Sequence, residues 1–112
     1  MGDIRRYEQG ARLRKKEWLV TPQHLYELYE QQNRRCAISN IQIEFSDKGI
    51  GTLGAKDCST ASLDRIDSKQ GYIPGNIQWV HKYINKMKMD LPEQDFFSMV
   101  KQIYEYKQLK SK

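Results

Sequence analysis

The chain has 112 residues, with 19 Lys and Arg against 14 Asp and Glu and a formal charge of +5; its pI is near 9.2. That length holds one domain with a single modest core, and the sequence has no apolar run long enough for a transmembrane helix. The basic balance makes a polyanion the expected partner, while Cys36 and Cys58, with no Cys-x-x-Cys pair, read as reduced thiols.

Residues 1–20 form a basic N-terminal arm in which Arg5, Arg6, Arg12, Arg14, Lys15 and Lys16 are interrupted by Tyr7, Leu13 and Trp18. Such an arm can follow a phosphate backbone, releasing counterions as it binds, or remain a solvated tail anchored by its aromatic residues. No apolar stretch of signal-peptide type is present, which points to an intracellular product. Thr21 then caps a helix with Pro22 at its first position. Its apolar stripe is Leu25, Leu28 and Tyr29, and Asn33 ends it after about Gln32. His24 on this helix has no orienting partner nearby in sequence, so it reads as scaffold.

Cys36–Ile38 and Ile41–Phe45 read as a small hairpin about Ser39 and Asn40, with Ile41, Ile43 and Phe45 alternating against Gln42 and Glu44. Ser46–Thr60 carries Gly49, Gly51 and Gly54 without any period. It lacks the Gly-Lys-Ser/Thr ending of a nucleotide-cradling loop and reads as a connection.

The stretch from Ala61 to Met89 holds the densest pattern. Ala61–Ile66 and Asn76–His81 are rich in strand-forming side chains, and Asp67, Ser68, Lys69, Gln70, Gly71, Pro74 and Gly75 between them are turn formers. From Lys82 the spacing becomes helical, with Tyr83, Ile84, Met87 and Met89 as the apolar side and Lys82, Lys86 and Lys88 as a basic face. The predicted unit is strand, loop, strand, helix. Asp64 falls late in the first strand, Asn76 opens the second, and Asn85 lies about one turn into the helix. A hard divalent cation such as Mg²⁺ takes one or two protein oxygens and completes its shell with water and substrate phosphate, and Asp64 and Asn85 can supply that pair.

Asp90–Pro92 breaks the helix, and Glu93 and Asp95 give the next one an acidic first turn suited to its dipole. Phe96, Phe97, Val100, Ile103 and Tyr104 recur at helical spacing and predict that this last helix packs on the core. The residues after Tyr106 form a basic, frayed tail, 107–112.

Asp64, Asn76 and Asn85, spaced twelve and then nine residues apart within LDRID, GY, GNIQWVHK and IN-K-MK, resemble the HNH endonucleases. The resemblance is to a phage- or mobile-element-type branch with Asp-Arg in place of Asp-His, and it spans roughly residues 21–103. It implies a single small α+β domain over 21–106, with a ββα-metal core flanked by an N-terminal and a C-terminal helix, in a cytoplasmic protein of a bacterial or phage-infected cell. The implied activity is cleavage of double-stranded DNA, with Asp64 and Asn85 holding Mg²⁺ or Mn²⁺ and Asn76 bracing the loop or orienting the catalytic group by hydrogen bonds. Arg65 stands where the family usually has a histidine base. A guanidinium cannot accept a proton at working pH, so Arg65 is expected on the scissile phosphate, and the base falls to His81, His24 or a metal-activated water. Otherwise the fold is a binding module with weakened or lost catalysis.

Arg14, Lys15, Lys16, Lys82, Lys86 and Lys88 are the expected DNA-backbone contacts, and a chain this small would read a long site only as a dimer or with a partner protein. RNA as the substrate is equally compatible with a surface that reads phosphate. Relatives in this family carry two Cys-x-x-Cys pairs for structural zinc. Here Cys36, Cys58 and His81 make an incomplete set for a tetrahedral site, so zinc is not expected.

Overall fold

The computed structural model describes residues 4–13, 16–45 and 59–110. Six elements follow one another: α1 (Ile4–Leu13), α2 (Pro22–Gln31), β1 (Ala61–Arg65), β2 (Ile77–His81), α3 (Lys82–Lys88) and α4 (Glu93–Lys110). This is an α+β architecture with four helices around a two-stranded antiparallel sheet, and no described helix is long and apolar enough to cross a membrane. Arg14, Lys15, Cys58 and the 46–58 stretch of the expected glycine-containing connection lie outside the described residues.

The hairpin registers Leu63 against Trp79 and Asp64 against Gln78. Because successive strand side chains alternate, Leu63 and Trp79 share one face while Ser62, Asp64 and Gln78 share the other. The Leu63/Trp79 face meets α2: Trp79 is fully buried and its indole N–H donates to the Leu25 carbonyl at 2.8 Å. Phe45 and Tyr7 meet the same indole edge-on. α3 covers the polar face.

Two strands alone are marginal, and here the outer edge of β2 is closed by a side chain. The Gln32 carboxamide accepts from Trp79 N–H at 3.0 Å and donates to Trp79 C=O at 2.9 Å, which mimics a neighbouring strand, and Ala37 N–H adds a bond to the same carbonyl. Gln32 sits at the C-cap of α2, whose start is the Thr21 cap accepting from His24 N–H, with Pro22 in the first turn. Asn33 and Arg34, both at positive φ, then turn the chain.

Four sequence expectations change. Residues 4–13 are helical, with Ala11 in the core, so this part of the basic arm is folded against the domain. The hairpin about Ser39 reduces to a single antiparallel bridge, Arg35 to Gln42. Within it Ile43 is buried and Ile41 exposed, because Ile43 N–H bonds back to Arg34 C=O and sets the segment's orientation. α4 does not pack along its length: Phe96 is its buried residue, and Phe97, Val100, Ile103 and Tyr104 are exposed. α4 also continues to Lys110, past the expected start of a frayed tail at residue 107.

Gly71 explains the GY pair. Trp18 and Tyr72 form a parallel bridge, fixed by Tyr72 N–H to Glu17 C=O and Leu19 N–H to Tyr72 C=O, both 2.8 Å. A Cβ on Gly71 would lie 2.7 Å from the Glu17 backbone nitrogen. Gly71→Ala is therefore expected to cost about 1–3 kcal/mol through overpacking against main chain, read as a lower urea midpoint with an unchanged slope.

Candidate functional site

Every residue of β1 from Ala61 to Arg65 lines one open cavity of about 540 Å³, which therefore runs along the strand edge opposite β2. Asp64 and Asn85 both line it, as do Arg65, Lys82 and Lys86. The structure thus brings the expected metal pair and three of the expected phosphate contacts to one place. Asp67, His81 and His24 do not line it.

Asp64 is 5% exposed and Lys88 is 1% exposed. The Lys88 ammonium lies 3.0 and 2.9 Å from the two carboxylate oxygens and 3.1 Å from the Arg65 carbonyl, so all three of its N–H donors are engaged. Gln78 Nε2 donates to Asp64 Oδ2 at 3.0 Å and, with its second hydrogen, to Glu93 Oε1 at 2.7 Å. The chain runs Lys88, Asp64, Gln78, Glu93, from α3 across the sheet to the first turn of α4.

This corrects two expectations. Lys88 is not on a DNA-facing surface; it is the buried counter-ion of Asp64. The side of α3 against the sheet is polar, since Asn85 and Lys88 point inward while Tyr83 and Met87 stand out in solvent. Asn85 donates to Ser62 Oγ at 2.7 Å and to Leu63 C=O at 3.4 Å, and its amide oxygen accepts no hydrogen bond among the described residues.

Arg65 acts first on the loop. Its Nη1 donates to Ser68 C=O at 2.8 Å and Gln70 C=O at 3.2 Å, and the guanidinium lies over the Tyr72 ring, 5.4 Å from its centroid. Nε and Nη2 make no hydrogen bond among the described residues. Asn76 is buried and closes the same loop: Oδ1 accepts from Asp67 N–H at 2.8 Å, and Nδ2 donates to Asp67 C=O at 3.1 Å and Gly71 C=O at 2.8 Å. Asp67 itself is a turn acid. Its carboxyl sits below the usual aspartate range because Lys69 N–H bonds to it, assisted by the Gln70 amide.

His81 caps α3. Its Nδ1 accepts from Tyr83 N–H at 3.2 Å, and its register partner Ala61 places it on the Leu63/Trp79 face, away from Asp64. His81 thus holds a helix terminus and does not line the cavity. The cavity also contains groups that spacing did not suggest: Ser62, Ser68 and Asp90, of which Ser68 Oγ donates to Asp90 C=O. Only the register and the fold of the loop back onto α3 bring them there.

Lys16 is tied to the loop carbonyl of Lys69 at 3.3 Å. Cys36 is buried, and its thiol sits below the ordinary cysteine range. Burial pushes it up, but hydrogen bonds from the Ser39 hydroxyl and from the backbone of His81, Ser39 and Ile38 outweigh that. Among the described residues no group of three or more His, Cys, Asp or Glu is assembled for a metal.

The buried pair generates a direct test. Lys88→Met strands the Asp64 carboxylate and is expected to cost about 3–5 kcal/mol. Adding Asp64→Asn removes the stranded charge and is expected to return most of that loss, read by denaturant melts of the two single variants and the double. No protein-family model matches the chain, and no curated protein or solved structure matches it.

Proposed function

We propose that this protein is a metal-dependent endonuclease of the HNH type, hydrolysing DNA phosphodiester bonds in the cavity beside β1. One observation carries the reading: Asp64 from β1 and Asn85 from α3 line the same open, polar cavity, with Arg65, Lys82 and Lys86 around it. The donor set suits a hard cation. Each carboxylate oxygen has two acceptor positions. Among the described residues Lys88 uses one on each and Gln78 a second on Oδ2, which leaves Asp64 Oδ1 one position, to act with the Asn85 amide oxygen. Mg²⁺ and Mn²⁺ sites of this kind take one or two protein oxygens and fill the rest with water and phosphate.

A cation held there supplies Lewis-acid polarisation of the phosphate and stabilisation of the departing oxygen. The protein's own contribution is positional. Asn76 and Arg65 hold the 67–71 loop, Ser62 orients the Asn85 carboxamide, and Lys82 and Lys86 present ammonium groups to the backbone of a bound strand. Lys88 already balances the charge of Asp64, so most of the charge that attracts the metal comes from the substrate phosphate. Cation affinity without DNA is accordingly expected to be weak.

A second reading, a nucleic-acid-binding module without catalysis, draws on the same pair: Lys88 occupies Asp64, and no described histidine lines the cavity. Supercoiled plasmid with Mg²⁺ or Mn²⁺ separates the two. The nuclease reading expects nicking by wild type and a loss of roughly two orders of magnitude or more in Asp64→Ala and Asn85→Ala; equal nicking by all three, or none by wild type, gives the binding module. Lys86→Ala is expected to weaken binding evenly across sequences and to lower the salt slope by about 1, read by fluorescence anisotropy at several ionic strengths.

A further inference from the structure

The outer side of α3 carries a second pattern beside the cavity. Lys82 and Lys86 are one turn apart and both line the cavity. Tyr83 and Met87, each the next residue along, form a parallel column that stands in solvent and does not line it. Tyr83 is 58% exposed. Its ring is held at the helix start by His81, whose imidazole lies 5.3 Å away and whose Nδ1 accepts from Tyr83 N–H. The Lys82 and Lys86 ammonium groups stand 5.4 and 5.8 Å from the centre of that ring, and neither has a carboxylate partner among the described residues. In this they differ from Lys88, which is bound to Asp64.

We infer that this side of α3 binds a single-stranded segment of DNA, with an unpaired base stacked on Tyr83 and neighbouring phosphates on Lys82 and Lys86. Charge and shape together select that partner. Two ammonium groups flank the ring and the whole chain is basic, at +5, so the partner is an anion. Between them stands an exposed aromatic face, and aromatic side chains set along a basic track are what hold the bases of single strands. An acidic peptide satisfies the charges and leaves that face bare. Duplex DNA stacks its base faces inward and offers a helix surface only backbone and groove edges. The two lysines are about 6 Å apart along the axis at 1.5 Å per residue, close to the rise of about two nucleotides at 3.4 Å each. Because the lysine column borders the cavity, a strand held there by its phosphates turns its bases out over Tyr83 and Met87 and runs its backbone along the rim that Arg65 also lines. The ammonium groups exchange the ring for phosphate oxygens as the base arrives, since cation–π contacts at an exposed site are weak.

This inference rests on the reading that the chain binds nucleic acid, and it is independent of cleavage. The test is fluorescence anisotropy of the intact chain, without divalent metal, on three labelled DNA probes matched in phosphate number: a single strand, a duplex, and an abasic strand that keeps the phosphates and lacks the bases. The single strand is expected to bind most tightly. Tyr83→Ala, at an exposed position with far-UV circular dichroism as the check on folding, is expected to weaken it about tenfold, equivalent to about 1.4 kcal/mol and in the range for one stacked base. The same change is expected to leave the duplex, the abasic strand and the salt slope unaltered. Tyr83→Trp is expected to keep the affinity, with an added indole emission that the single strand quenches and the abasic strand does not. Equal binding of single strand and duplex, untouched by Tyr83→Ala, overturns the inference and leaves nucleic-acid binding standing, whereas binding of none of the three probes overturns both. Polyglutamate bound as tightly as the single strand, and lost in Tyr83→Ala, also overturns it and assigns the face to an acidic protein.

Discussion

The Lys88–Asp64 pair is the constraint on which the cavity side of the molecule depends. Removing a carboxylate and an ammonium from water costs several kcal/mol per ion, and their attraction offsets this only when the remaining donors and acceptors are also satisfied. Here they are. The ammonium has three acceptors and the carboxylate takes a further bond from Gln78. Among the described residues no fully buried side-chain nitrogen or oxygen lacks a partner. α3 has only seven residues and leaves Tyr83 and Met87 in solvent, so its seat on the sheet is set mainly by Lys88, Asn85 and half-buried Ile84. The rotation that brings Lys88 over Asp64 is the same one that brings Asn85, one turn earlier, over Ser62.

The rest of the domain uses the same device of polar side chains replacing missing backbone partners. A two-stranded sheet has two open edges. Gln32 closes the β2 edge, and along β1, beside the cavity, the Leu63 and Arg65 carbonyls take bonds from the Asn85 and Lys88 side chains of α3. The 67–71 loop has few bonds among its own backbone groups; Asn76, Arg65 and Asp67 supply most of the others. Each of these groups is local to the hairpin, so the loop's shape is set once the two strands pair. This is why the amide at position 76 and the guanidinium at 65 are both structural, while Arg65 also lines the cavity.

That distinction accounts for what could be read from the residues. Thr21-Pro22, the two strand patterns, the turn formers between them and the start of α3 all announce themselves through short-range rules, and the structure follows them to within a residue or so. Asn76 as a loop brace follows from the same local logic. Lys88 does not. A lysine in a helix reads as solvated, and only the register of β1 against β2, together with the turn into α3, reveals that its ammonium reaches a buried carboxylate. The cap that His81 forms on α3 is likewise invisible in the residues, because only the turn of the chain from β2 into α3 brings its ring to Tyr83 N–H. For α4, apolar residues at helical spacing show which face is amphipathic and say nothing about what that face meets.

The network from Lys88 through Asp64 and Gln78 to Glu93 has a geometrical consequence. Glu93 is in the first turn of α4, so the long helix is attached to the domain by a hydrogen bond to the same amide that braces the carboxylate in the cavity, and by Phe96 just beyond it. Whatever α4 binds is therefore held at a defined angle to β1.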